Sequence, residues 1–328
     1  MEPSMRAGMV VDNRFRLEKE VGSGATCAVW AARDSTTGKR VAVKLLALHE
    51  RHDPALVRRF RRESATLLRC DCPCIVRALE AGEDAHFGPY LVMELLAGET
   101  LEQRLRRVAV LSAHEFLEVA RDVVSALECL HGQGIVHRDL KPANVFLWRD
   151  ETGRIRAKLL DFGTVKPKSP DQFGRTANGA LVGTLSRMSP EQAHSAQVDH
   201  KTDVWAFAMI AFEALVGSPA IDGTMPAGQV ILTICFGRLP VPSHLNASIP
   251  LGFDAWFARS TMAKAAQRFS TVREQWTALV SVLARQRGVL DAQTIPMPAP
   301  TFRMSVPPMK PLGSVRILMS PPKPKGSV

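Results

Sequence analysis

The sequence predicts an α+β chain of two lobes, a small β-rich lobe over residues 15–95 and a larger helical lobe over residues 97–287. Three observations predict it. Between Phe15 and Leu95, short strand-like runs alternate with turn signals around a single helical stretch. Beyond Thr100, apolar residues recur at helical spacing in several long runs. The chain has 328 residues, enough for more than one domain, and two lobes sharing one cleft fit that length.

The first fourteen residues read as a flexible lead-in. Phe15-Arg16-Leu17 and the run Gly22-Ser23-Gly24-Ala25-Thr26-Cys27-Ala28-Val29-Trp30 form two strands around a small-residue turn. A third strand, Val41-Ala42-Val43-Lys44, follows the turn Thr37-Gly38-Lys39. Glycines let backbone approach a phosphate and present its N–H groups. An ordinary Gly-containing hairpin is the alternative, and the alternating strand that ends on Lys44 weighs against it. After Pro54, residues 55–69 read as a helix with Leu56, Phe60, Leu67 and Leu68 on its apolar side. Glu63 lies on it among Arg58, Arg59, Arg61 and Arg62, where surface ion pairs worth a few tenths of a kcal/mol are the plain alternative to a functional role. Cys70-Asp71-Cys72-Pro73-Cys74 reads as a packed turn, because a structural zinc site needs a further ligand that is not evident. Two more strands are expected at residues 75–79 and 90–95.

Helices are expected from Thr100 to about Arg107 and from Ser112 to Leu130. They lead to His137-Arg138-Asp139-Leu140-Lys141-Pro142-Ala143-Asn144 and a short strand, Val145-Phe146-Leu147. In this octet the Asp139 carboxylate can accept a hydroxyl proton, Lys141 can neutralise a phosphoryl oxygen, and the Asn144 amide oxygen can hold a metal ion. By itself Asp-x-Lys could also be a solvated loop. A strand then delivers Asp161 to the turn Asp161-Phe162-Gly163, and a carboxylate there suits Mg²⁺, which prefers oxygen ligands. Residues 164–189 form a long polar loop of the kind that is usually functional. It closes on Gly183-Thr184-Leu185-Ser186-Arg187-Met188-Ser189-Pro190-Glu191-Gln192. Asp203 opens a strongly apolar helix over residues 204–216, and helical runs around Trp256 and over 272–287 complete the second lobe. From Gly288 to Val328 prolines interrupt any periodicity and no acidic residue follows Asp291, so this is a basic, Pro-rich tail expected to be disordered.

These pieces stand in the order of the protein kinase fold, and from Phe15 to Arg287 the chain resembles the bacterial Ser/Thr protein kinases of eukaryotic (Hanks) type. The resemblance implies a bilobal kinase-like fold and transfer of the γ-phosphoryl group of ATP to a Ser or Thr hydroxyl of a protein, with Mg²⁺ (or Mn²⁺) as the metal. It implies catalytic roles for Asp139, Lys141, Lys44, Glu63 and Thr184, with Glu63 orienting Lys44 toward the α- and β-phosphates. Asn144 and Asp161 would hold the metal. The nucleotide would lie against Val21, Gly22, Ser23, Gly24, Ala25, Thr26, Cys27, Ala28 and Val29, between Ala42 and Phe146. Met93 would limit the back of the pocket, while the backbone of Glu94 and Leu96 would meet the adenine. Glu191 would pair with Arg268, Asp203 would hold the backbone of the octet, and Arg138 would gather a phosphate on the long loop, Thr176 first and Ser169 or Thr184 next. The chain departs from the pattern at Cys27, which replaces the third loop glycine, at Ser189 in Ser-Pro-Glu, at Arg187 where tyrosine is common, and at Ala208 where glycine is usual.

The net charge of +10 and isoelectric point near 9.6 favour acidic partners in general. The basic residues are dispersed and not interleaved with aromatics, which argues against a nucleic-acid binder. Six irregularly spaced cysteines and the lack of an apolar leader predict reduced thiols and a cytoplasmic setting. No apolar run reaches the roughly 18 residues of a membrane span. A non-catalytic scaffold of the same shape and a small-molecule kinase are the competing readings. The first is disfavoured by Lys44, Glu63, Asp139, Asn144 and Asp161, the second by the long segment ending in Ser-Pro-Glu. Protein substrates, and a docking partner for the basic tail, are the expected partners.

Overall fold

The computed structural model describes residues 5–24, 26–161, 185–194 and 197–284. Thr184, Ala25, Phe162, Gly163, Ser169, Thr176 and the tail from residue 285 lie outside them. The first lobe is a six-stranded antiparallel sheet in the order β1-β2-β3-β4-β6-β5, with β1 at Val10–Val11, β2 at Phe15–Ser23, β3 at Cys27–Asp34, β4 at Arg40–Leu46, β5 at Ala78–Asp84 and β6 at Gly88–Glu94. Period-two alternation gives the sheet two different faces. Val41, Val43 and Leu45 of β4 pack with Phe15, Leu17, Trp30 and Tyr90 on one face, while Ala42 and Leu46 belong to the core that faces the second lobe.

The sequence reading of a flexible start is corrected here. Val10 and Val11 pair with Arg16 and Phe15, and Asp12 and Asn13 turn the chain at φ values of 52° and 51°, a conformation that Asp and Asn tolerate better than most residues. Tyr90 Oη donates to Asp12 Oδ2 at 2.5 Å, and Asp12 N donates to Asp84 Oδ2 at 2.7 Å, so the turn is anchored to β5 and β6. The strand expected at residues 75–79 is also displaced. Ile75 and Val76 are buried and make only an isolated bridge to Leu159, while the strand proper runs from Ala78 to Asp84.

Helix α1, Pro54–Arg69, starts at the cap Asp53, whose carboxylate accepts from Ala55 N and Leu56 N, with Pro54 in the first turn. Phe60, Ser64 and Leu67 are its buried residues, and at helical spacing Glu63 falls on the same side, toward β4. A small sheet begins the second lobe: β7 (Glu99–Thr100), β8 (Val145–Arg149) and β9 (Ile155–Leu159). Between β7 and β8 run α2 (Leu101–Val108), with a Thr100–Gln103 capping box, and α3 (Ala113–His131). Buried Asp122 of α3 accepts from Arg156 Nε at 2.8 Å and Ala157 N at 2.9 Å, fixing β9 against α3.

After α4 (Pro190–Ala193), helix α5 (Lys201–Val216) forms the post of this lobe. Thirteen of its sixteen residues are buried, so it is apolar all round rather than amphipathic, as a helix enclosed by others must be. Around it lie α6 (Ala227–Phe236), which no sequence signal singled out, α7 (Pro242–Leu245), α8 (Leu251–Ser260) and α9 (Val272–Ala284). Among the described residues, no helix is long and apolar enough to cross a membrane.

Candidate active site

The lobes enclose a cleft of about 780 Å³. Its roof is the β2–β3 hairpin, where Gly22, Ser23, Gly24, Thr26, Cys27 and Val29 line the space along with Val21. Ala42, Met93, Glu94 and Leu96 line the inner wall and hinge, and Phe146 lies on the floor. Ala28 is placed differently from the sequence reading. Its side chain follows the strand alternation to the opposite face, where it is buried with Trp30 and Val43, so it does not line the cleft. Leu160, Val76 and Gly98 also line the cleft and were not singled out in the sequence; for Leu160 the signal was its place directly before Asp161.

Lys44 is the centre of the inner wall. Its Nζ donates to Glu63 Oε1 and to Asp161 Oδ1, each at 2.8 Å, and the residue is only 6% exposed. Burial alone would lower its pKa, but the Asp161 and Glu63 carboxylates outweigh burial, so the ammonium is held above its ordinary value. Strand register explains the position. Lys44 pairs with Val29 on β3 and Leu91 on β6, so it sits mid-sheet and cannot swing away with a loop. Cys27 lies beside it, and burial raises its thiol pKa despite the nearby Lys44 charge.

Across the cleft, Lys141 Nζ is 3.0 Å from Asp139 Oδ2. Asn144 sits in a short 3-10 turn over Pro142–Asn144 and is buried. Its Nδ2 donates to the Asp139 carbonyl at 2.8 Å and reaches Asp139 Oδ2 at 3.3 Å. With the amide nitrogen so engaged, the amide oxygen is the ligand left for a cation. Asp161 likewise uses Oδ1 for Lys44 and keeps a second carboxylate oxygen. An amide and a carboxylate oxygen fit Mg²⁺ or Mn²⁺, which take oxygen donors.

The octet is held from beneath. Asp203, wholly buried at the start of α5, accepts His137 N at 2.9 Å on Oδ2 and Arg138 N at 3.0 Å on Oδ1. His131 Nε2 lies 2.7 Å from the same Oδ2. Arg138 is thereby kept at φ 64°, a left-handed conformation unusual for a side-chain-bearing residue. Gln192 Nε2 donates to the Arg138 carbonyl at 2.8 Å, tying α4 to the loop. Glu191 and Arg268 meet through two 2.8 Å bonds. Arg187 donates to both oxygens of Glu213 on α5, at 2.9 and 3.1 Å. At the hinge, Glu94 Oε1 accepts from Lys158 Nζ and, at 2.8 Å, from Arg77 N, a contact that no local sequence signal announced.

The chain matches the family described as protein kinase domain over residues 15–244. It is 31% identical over 267 residues to a probable serine/threonine-protein kinase of Clostridium acetobutylicum, covering 81% of this chain and 39% of that protein. It is 29% identical over 320 residues to PknB, a serine/threonine-protein kinase of Mycolicibacterium smegmatis, covering 96% and 50%. To PknA, a serine/threonine-protein kinase of Mycobacterium tuberculosis, it is 31% identical over 298 residues, covering 89% and 67%. The chain thus spans half or less of the length of the first two of these relatives. The crystal structure of the PknI kinase domain of Mycobacterium tuberculosis shares the fold, with a TM-score of 0.66 at 24% identity, covering 86% of this chain and all of that one. The chain belongs to the protein kinase family, among the bacterial serine/threonine-protein kinases of eukaryotic type.

Proposed function

We propose that this chain transfers the γ-phosphoryl group of Mg-ATP to serine or threonine hydroxyls of protein substrates. The observation that carries the reading is Lys44 held between Glu63 and Asp161, facing Asp139, Lys141 and Asn144 across a single cleft. In this reading, Glu63 fixes Lys44 so that its ammonium meets the α- and β-phosphates. Asp139 orients the acceptor hydroxyl and takes its proton, and Lys141 offsets charge on the transferred group. Asn144 and Asp161 would hold the divalent ion, which would supply charge neutralisation to the phosphates. Ala42 and Phe146 enclose the adenine from above and below, with the backbone of Glu94 and Leu96 at its edge. Thr184, outside the described residues, is assigned a catalytic role with Asp139 and Lys141 on the family resemblance alone. Autophosphorylation on the loop before Ser189, at Thr176 first, is part of this reading, as is a protein partner for the basic tail.

The test is γ-phosphate transfer to a generic protein acceptor, with Asp139→Asn beside the parent chain. Transfer is expected from the parent and lost in the variant, with the nucleotide-induced thermal shift retained. Near-normal turnover by the variant, or transfer to small alcohols in preference to protein, would overturn the reading.

A further inference from the structure

A second cavity, of about 510 Å³, lies in the helical lobe and shares no lining residue with the cleft. It forms where four elements meet. The α2–α3 loop gives Val110 and Leu111, the end of α5 gives Leu215, the segment before α8 gives Ile249 and Pro250, and the last turn of α9 gives Leu283. Hydrogen bonds fix this frame: Leu111 N donates to the Ala214 carbonyl at 2.8 Å, and Asn246 Nδ2 donates to the Leu215 carbonyl at 2.9 Å.

The polar side chains on its walls are already engaged. Ser112 Oγ accepts from Glu115 N at 3.1 Å, and Asn246 Oδ1 accepts from Ser248 N at 3.1 Å and from Ser248 Oγ at 2.7 Å. What remains for an occupant is apolar contact. Leu111, Leu215, Ile249 and Leu283 are buried, while Val110 is 40% exposed and Leu251, directly after Pro250, is 77% exposed. Gly217, at φ 94°, leaves the room that seats Val110: a Cβ there would stand 2.8 Å from Val110 Cγ2. A framed apolar cavity with an exposed apolar margin is a seat for another apolar group.

The chain itself supplies one. Leu283 precedes Ala284, the last residue of α9, so the chain leaves the helix at the cavity. The buried residues Val272, Trp276, Leu279 and Leu283 run as a stripe along α9. One turn further the stripe meets Gln286 and Arg287 and stops. Gly288 follows, a residue type that commonly ends helices, and then the next apolar pair, Val289-Leu290. The stretch from Leu283 to Leu290 spans at most about 25 Å. On so short a tether, groups of the same chain meet the cavity at an effective concentration on the order of millimolar, above that of a second copy in dilute solution. We propose that Val289 and Leu290 turn back into this cavity and dock residues 285–290 on the second lobe. Arg285 and Arg287 stay in water, and the Pro-rich stretch from Pro296 starts from a fixed point on the domain.

The inference does not rest on the phosphotransfer reading, and its test uses no activity. Val110→Cys and Leu290→Cys are combined in the full chain, isotopically heavy and light copies are mixed and mildly oxidised, and peptides are mapped without reductant. A link between positions 110 and 290 is expected, with both halves of the same isotope. The control pairs Leu290→Cys with Ser281→Cys, which is nearer in sequence but on the exposed side of α9, opposite Leu283. A tail that wanders would link to position 281 at least as often, whereas docking is expected to favour position 110 by about tenfold. Separately, Leu290→Asp in the otherwise native chain is expected to speed amide exchange over residues 108–113 and 246–250 about fivefold and to lower the melting midpoint by roughly 3 °C. Unchanged protection across α5 in the same spectra shows that the variant is folded. Absence of the 110–290 link, a link of mixed isotopes (a second copy in the seat), equal linkage to position 281, or exchange unmoved by Leu290→Asp would each overturn the proposal.

Discussion

Arg268 donates from both terminal nitrogens to the two carboxylate oxygens of Glu191, each at 2.8 Å, with its side chain wholly out of solvent. The guanidinium also reaches the carbonyls of Met262, Ala263 and Lys201 and lies over the Trp205 ring. Removing one partner strands the other as a buried charge. Arg268→Ala is therefore expected to destabilise the fold by about 3–5 kcal/mol. Arg268→Lys should recover little, because a single ammonium cannot replace the fork. Urea unfolding measures both. Burial would raise the Glu191 carboxyl, but the bonds from Arg268 outweigh it and hold its pKa below the ordinary glutamate value. A depressed acid stabilises above the unfolded pKa and loses that contribution as pH falls through the folded one. The pair's stabilisation should thus be complete above about pH 4.5 and fade on further acidification, a fade absent from the Arg268→Ala profile.

Asp203 accepts two consecutive backbone N–H groups, and one of them belongs to the left-handed residue Arg138. Asp203→Asn would keep the shape but lose the charge and one acceptor. Stability is expected to fall by about 2–4 kcal/mol. The phosphotransfer rate should drop roughly 100-fold, since the loop that positions Asp139 relaxes, while nucleotide affinity changes little. Calorimetric titration beside single-turnover kinetics separates these effects.

Gly98 follows the hinge, where a Cβ would lie 2.0 Å from the Leu147 carbonyl oxygen and 3.0 Å from Phe146 Cε1. Gly98→Ala must push the hinge away from β8, and with it the floor residue Phe146. Nucleotide binding is expected to weaken by roughly tenfold, about 1.4 kcal/mol, with a lower melting temperature. Gly153→Ala, with no atom within 4 Å of its Cβ, is the control for glycine replacement at positive φ.

Lys44→Met removes the cation that pairs with both Glu63 and Asp161 and leaves those two carboxylates without it. The phosphotransfer rate should fall by about 10²–10³-fold. In the parent chain the raised Lys44 pKa makes a contribution to stability that is complete below the unfolded value of about 10.4 and is lost as pH rises through the higher folded value. Alkaline melting curves of parent and variant should converge as that contribution disappears.

Contiguous chemistry was legible in the sequence, and contacts across the fold were not. The octet around Asp139 and the Lys44 strand announce themselves by residue type and spacing, because each lies on a single turn or strand. Glu63 and Arg268 became readable only through the order of the motifs. The Lys158–Glu94 contact and the Arg187–Glu213 pair bring together residues far apart in the chain, which local patterns do not encode. Strand limits failed where burial and pairing diverge: Ile75 and Val76 are as apolar as a strand, but the turn they occupy spends its hydrogen bonds on β9. Ala28 was misplaced because a loop motif was read as continuing into a strand that alternates.

The two sides of the cleft together set two lysines, Lys44 and Lys141, against three acids, Glu63, Asp139 and Asp161, for a balance of one negative charge. A bare triphosphate entering between them is repelled as much as it is welcomed. The cleft therefore discriminates against an unescorted polyanion before any chemistry begins, and stripping magnesium from solution should cost affinity for the nucleotide as well as speed.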